Sequence, residues 1–228
     1  MTVLYDLATE GTMGRVIVAM SSAFTPFPAS SAGGHALRKL VEYSTGVVVD
    51  DVGHVLADRQ AVDGCFAVTI AGLGHAEVAA QDHEAGLALL QLFGIRKLQP
   101  IPLAAATAAI ADVTIIGFAD PQIQNGGTAV STLRARLGVA NGANRVLEPM
   151  PAAGFSGAAA LQSDGTLAGM VEMAAAEGAG TAEPASLAVV VSSEAIRSFL
   201  ERQHVILAGA APAGSADAGV VRVICTRK

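Results

Sequence analysis

Short apolar runs broken by turn residues dominate the chain. Gly14 to Met20 (GRVIVAM) is rich in β-branched residues and predicts a strand. Ser21 to Gly34, rich in Pro, Ser and Gly, predicts a loop. Tyr43 to Val49 predicts one arm of a hairpin. Asp50-Asp51-Val52-Gly53 is its turn and His54 to Leu56 begins the return. Further strands are predicted at Phe66 to Ala71, Ala76 to Ala80, Leu87 to Leu92, Val113 to Phe118, Thr128 to Leu137, Ala158 to Leu161, Leu167 to Met173 and Leu187 to Val191. One helix is predicted, capped by Ser192 or Ser193, with Ala195, Ile196, Phe199 and Leu200 on one apolar face. An Ala/Gly/Pro-rich linker, Ala208 to Gly219, follows. Val220-Val221-Arg222-Val223-Ile224 then predicts a terminal strand. This pattern is that of an all-β sandwich or barrel.

Composition narrows the picture. A chain of 228 residues can bury a sizeable core, as one large all-β unit or two small domains. The apolar fraction is 52% and much of it is Ala, which predicts a core of small side chains. With no Trp and only 4% aromatics, base-stacking platforms are not expected. The net charge of −6 and the scatter of Arg38, Lys39, Arg134 and Arg136 argue against a nucleic-acid partner. The most apolar run, Ile101 to Ala119, is interrupted by Pro102, Asp112 and Gly117, and a span needs about 20 apolar residues. No membrane span is expected. Met1 to Glu10 lacks a signal-peptide layout. The compartment stays open: cytoplasmic, or periplasmic or secreted if a leader was removed. Cys65 and Cys225 could form one bridge, but two cysteines are no disulfide framework, and free buried thiols are the expected state. His75 with Glu77, and Asp82-His83-Glu84, lack zinc-like spacing. Neither a metal nor a cofactor is expected.

Three separated segments carry a resemblance. They are Gly46-Val-Val-Val-Asp-Asp-Val-Gly53-His-Val-Leu-Ala-Asp-Arg-Gln60, then Gln81-Asp82-His83-Glu84-Ala85-Gly86-Leu87-Ala88-Leu89-Leu90, then Gly154-Phe155-Ser156-Gly157 with Asp164-Gly165 and Gly169. In that order and spacing the chain resembles the trypsin/chymotrypsin serine proteases, in their bacterial HtrA-like branch. Ile110 to Pro121 resembles the family's second-barrel opening strand. The likeness runs from about Gly46 to Gln203. It implies two six-stranded antiparallel β-barrels, with a short C-terminal helix and a terminal strand. The first barrel is expected over 1–100, the second with its closing helix over 101–204, and a linker with the terminal strand over 205–228. The implied triad positions hold Gln60 for the histidine, Gly86 for the aspartate and Ser156 for the nucleophile.

Those residues lack the family's chemistry. A serine hydroxyl needs a base to take its proton during attack. The Gln60 amide takes up no proton near neutral pH, and Gly86 has no side chain to orient an imidazolium. On an extended-strand reading His54 lies roughly 20 Å before Gln60, and His83 roughly 10 Å before Gly86 on the opposite face. Glu84 shares the face of Gly86 but has no imidazole to relay through. Phe155 takes a usually polar place, and Ala158 and Ala159 replace Gly-Pro. An oxyanion hole would use the N–H groups of Gly154 and Ser156.

The resemblance with both relay residues lost implies a pseudoprotease. It would bind a peptide or protein partner at Gly154, Phe155, Ser156, Met170, Val171 and Glu172, by strand addition along Gly169 to Ala174. A serine peptidase or hydrolase using Ser156 with an unorthodox base is the alternative. A third reading is a structural domain whose groove Phe155 fills. Gly219-Val-Val-Arg-Val-Ile resembles the family's opening strand, displaced to the far end. It would add to a barrel edge of its own chain, or of a second copy to make a homodimer.

Overall fold

Both faces of most strands here are apolar, and the architecture explains why. The structure, a computed structural model, describes residues 41–95, 97–107, 111–141, 144–175, 186–207 and 216–227. All of them fall in the compact unit Lys39–Lys228. The predicted strand Gly14 to Met20 and the loop Ser21 to Gly34 lie outside the described residues.

The strands are β1 (Val41–Val48), β2 (His54–Asp58), β3 (Ala67–Ile70), β4 (Gly74–Asp82), β5 (Leu87–Gln91), β6 (Ala111–Gly117), β7 (Ser131–Asn141), β8 (Asn144–Glu148), β9 (Ala159–Leu161), β10 (Leu167–Ala175), β11 (Ser186–Ser192) and β12 (Val220–Thr226). Among the described residues two α-helices join them, α1 (Arg59–Val62) and α2 (Ser193–Arg202). The first closed barrel runs β1-β12-β3-β4-β5-β2 and the second β10-β11-β8-β7-β6-β9, all antiparallel. These are the expected paired six-stranded barrels of a chymotrypsin-like fold.

Side-chain alternation sorts residues between two destinations. Val48, Val55, Ala57, Ala88 and Leu90 fill the first barrel. Their neighbours Val47, Val49, Leu56, Leu87 and Leu89 fill the seam between barrels. In the second barrel Ile115, Ala160, Ala168 and Val190 point inward, while Ile116, Ala159, Leu161, Leu167 and Val191 face the seam. Strands buried on both faces read as continuous apolar runs, which is why Leu87 to Leu90 shows no polar alternation. Six alanines in the second-barrel core fit the small-side-chain expectation. Helix α2 is capped by Ser192, whose side chain accepts from the Ala195 N–H. It closes the seam with Ile196, Phe199 and Leu200. No helix among the described residues is long and apolar enough to cross a membrane.

Two elements escaped the sequence pattern. Strand β8 carries only two apolar residues in Asn-Arg-Val-Leu-Glu. Helix α1 is a single turn begun by Asp58. The terminal strand is placed firmly: β12 lies between β1 and β3 of its own chain's first barrel. The terminal strand expected to add to a barrel edge, of its own chain or of a second copy, is thus a stave of its own chain's first barrel. Both edges of β12 are occupied, so it offers neither to a second copy.

The thiol expectation is corrected. Cys65 and Cys225 form a disulfide, with 5.5 Å between Cα atoms. Barrel closure is the cause. Cys225 pairs with Val68 on β3, and Phe66 N–H donates to Thr226 O at 2.7 Å, so the two cysteines meet although 160 residues separate them. Arg222 on β12 is buried and donates to Gly127 O (3.1 Å), Ala119 O (3.3 Å) and Gln124 Oε1 (2.8 Å) of the second barrel. A bridge closing so long a loop is worth about 2–5 kcal/mol. Replacing both cysteines by serine is expected to lower the melting temperature by roughly 5–15 °C. An unchanged melting curve would show that the bridge contributes nothing.

Candidate functional site

The site is built where the end of β2 meets the loop before β9. Strand β2 stops at Asp58, whose buried carboxyl accepts the Gln60 N–H at 2.8 Å and starts α1. Gln60 is therefore on a helical turn, not on the returning strand as expected, and the extended-strand distance from His54 does not apply. Arg59 N–H donates to Gly86 O at 2.9 Å, which draws the turn 83–86 against α1. That turn is ordered by Asp82, which accepts the N–H groups of Glu84 and Ala85 at 3.0 and 2.9 Å. His83 and Glu84 are exposed on it, so the alternation assumed for them does not hold either.

The loop Gly154 to Gly157 belongs to the second barrel but is held by the first. Thr45 of β1 donates its hydroxyl to Gly154 O (3.0 Å) and its N–H to Ser156 O (2.8 Å). The approach is so close that a Cβ on Gly157 would stand 2.0 Å from Thr45 O, at a φ of +82°. Only glycine fits there. Phe155 is buried among the residues of the second-barrel core, and its N–H donates to Ala152 O at 3.3 Å. Among the described residues the N–H groups of Gly154 and Ser156 donate no hydrogen bond.

The three family positions come together, but their partners differ from a triad's. The Ser156 hydroxyl donates to Asp58 Oδ2. Gln60 Nε2 donates to Glu172 Oε1 at 3.1 Å. A Cβ on Gly86 would stand 2.8 Å from Glu172 Oε1, so the Glu172 carboxyl from β10 fills the space a side chain at 86 would enter. His54 is committed elsewhere, with Nδ1 2.5 Å from Asp50 Oδ2. No described histidine is bonded to Ser156. Of the expected binding residues, Met170 and Val171 are fully buried, and Gly154 and Phe155 are buried too, which leaves Ser156 and Glu172 half-exposed. Asp58 was not singled out by sequence. Its signal was available, as an Asp that ends an apolar strand two residues before the base position.

Two carboxyls share this seam. Burial pushes Asp58 up from its ordinary 3.8, against hydrogen bonds from Ser156, the Gln60 N–H and the Met173 N–H and against the Arg59 charge. Glu172 is raised from 4.5 by burial first and by Asp58 second, while Gln60 and Arg59 pull it down. Among the described residues no group of three or more His, Cys, Asp or Glu is arranged to hold a metal ion.

A family model described as a trypsin-like peptidase domain matches residues 44–170, more than half of the chain. The chain belongs to the trypsin-like peptidase family. Its fold is similar to the serine endoprotease from Yersinia pestis, at 17% identity and a TM-score of 0.53, over 76% of this chain and 60% of that one. The chain thus spans less than two thirds of that protein's length. It is also similar to the Rv3671c protease in an inactive form, at 19% identity and a TM-score of 0.52, over 71% of this chain and 87% of that one. A serine-to-alanine mutant of Rv3671c from M. tuberculosis gives 19% identity and a TM-score of 0.53, over 81% of this chain and 98% of that one. No curated protein matches significantly. At these identities the structures speak for fold alone.

The raised carboxyls set a pH dependence of stability. The folded state holds the Glu172 and Asp58 protons more tightly than the unfolded chain does. Their contribution is therefore full below the ordinary values and is lost as pH rises through the raised ones. Glu172→Gln keeps an acceptor for Gln60 and removes one titration. The variant is expected to melt higher than wild type at pH 7, with the gap closing toward pH 4. A gap independent of pH, in melting curves across that range, would contradict the burial argument.

Proposed function

We propose that this trypsin-like domain holds an extended peptide or protein segment without cutting it by the family's chemistry. The observation that carries the reading is the amide of Gln60 in the base position, bonded to Glu172. An amide cannot take the nucleophile's proton. Removing the histidine base alone from a serine-protease triad costs about 10⁶ in turnover, as in subtilisin. A backbone edge supports binding. Strand β10 pairs with β9 only as far as Met170, and Val171 still exchanges hydrogen bonds with Gly157 and Ala158. From Glu172 to Ala175 the strand pairs, among the described residues, only with β11. An added strand would engage the backbone groups of this edge. The Cys65–Cys225 bridge fits an oxidising compartment.

Reduced, carboxymethylated casein is the test ligand. Binding without cleavage is expected, with slowed hydrogen exchange at Met170 to Ala175. No protection there, or rapid cleavage, would remove the reading. A second prediction follows from Glu172. Gln60→His puts an imidazole beside a carboxyl already in the orienting place. Slow casein cleavage is expected, abolished by adding Ser156→Ala. Absence of any gain would mean that Glu172 does not serve as the orienting carboxyl.

A further inference from the structure

The hydroxyl of Ser156 is not idle: it gives its hydrogen to a buried carboxyl. We propose that Ser156 and Asp58 form an imidazole-free nucleophile pair that accepts acyl and phosphonyl groups from activated electrophiles, esters with good leaving groups in particular. This goes beyond the binding reading and does not depend on it.

Three observations converge. The first is position. Ser156 is half-exposed while Asp58 is 1% exposed, so the nucleophile meets solvent and its acceptor is dry. The second is fixation. Asp58 Oδ1 accepts the Gln60 N–H at 2.8 Å, which leaves Oδ2 aimed at the Ser156 hydroxyl. The third is a place for developing charge. The Gly154 and Ser156 N–H groups have no acceptor among the described residues, while the Phe155 N–H between them is turned to Ala152 O. Backbone donors without internal partners beside a nucleophile can stabilise an oxyanion.

The chemistry balances without another reactant. As the Ser156 Oγ bond to the acyl carbon forms, the Oγ proton passes to Asp58 Oδ2. The carbon–oxygen bond to the leaving group breaks, and the leaving oxygen takes the electron pair and that proton. The acyl group stays on Ser156 until water adds to its carbon and gives a proton to Asp58; the acyl carbon–Oγ bond then breaks, the carboxylic acid leaves, and Oγ takes the proton back from Asp58. With a fluorophosphonate the Oγ–P bond forms, fluoride departs and the proton goes to Asp58. Burial makes Asp58 a stronger base than an exposed carboxylate. The other charges facing it are Arg59 on α1 and Glu172 on β10.

The full chain is treated with a fluorophosphonate probe and with p-nitrophenyl acetate, and the modified residue is found by peptide mapping. Labelling at Ser156 is expected, with none in Ser156→Ala. Asp58→Asn is expected to slow it by roughly 100-fold, the lower range for a general base. Should Asp58→Asn fail to fold, the wild-type pH profile decides. Labelling must rise with pH as Asp58 loses its proton, and a flat profile overturns the proposal. Alanine at each of His35, His54, His75, His83 and His204 is expected to leave the rate unchanged. An unlabelled Ser156, a rate indifferent to Asp58→Asn, or loss on removing any histidine overturns it. The casein exchange experiment reads binding separately, so either idea can fail alone.

Discussion

A single buried carboxyl ties the two barrels together at the site. Asp58 ends a strand of the first barrel, starts α1, and receives the hydroxyl of the serine loop of the second barrel. A buried carboxyl is costly to ionise unless hydrogen bonds compensate it. Here the Gln60 N–H and the Ser156 hydroxyl converge on it. Helix start and serine orientation both answer to one side chain. Moving either disturbs the other through it. Thr45 adds a second clamp, since the same β1 residue binds the carbonyls on either side of Phe155.

Closure is the second constraint. The five strands from β1 to β5 leave two open edges, with unpaired backbone groups that invite association. The chain fills the gap only with its last strand, β12. Its Arg222 then reaches the second barrel, and its Cys225 reaches Cys65 just beyond α1. Long-range pairing of this kind must meet loop-closure entropy before any contact forms. The disulfide makes the pairing permanent once it exists.

The fold was legible because its signals are local. Turn residues and β-branched runs marked most of the strands, and the motif holding Gly157 marked the loop between the barrels. The site was half legible. Gln60, Gly86 and Ser156 could be placed by motif. Their partners could not, because Asp58 and Glu172 act across the seam between barrels and no periodicity encodes that pairing. The disulfide was missed for the same reason. Two cysteines 160 residues apart become neighbours only after β12 is inserted. Strand alternation sends the Met170 side chain to the seam and the Val171 side chain into the barrel, which the residue types alone did not sort.

Persistence of the serine loop need not signal turnover. Its shape is set by packing: Thr45 from one side, Val171 from another, and the Phe155 ring in the second-barrel core. These contacts would hold the loop whatever stood at position 60. Chemistry at Ser156 therefore turns on which group takes its proton, and that group is chosen by the first barrel. In this chain the Ser156 hydroxyl is turned to the Asp58 carboxyl, and the Gln60 amide two residues later is turned away from it. The Glu172 carboxyl, supplied by the second barrel, occupies the space beside Gly86 and is bonded to that amide. The seam thus gathers the Ser156 hydroxyl, the carboxyls of Asp58 and Glu172, and the Gly154 and Ser156 N–H groups, which donate to no described residue. The scaffold around that cluster is the paired barrel of the trypsin-like family.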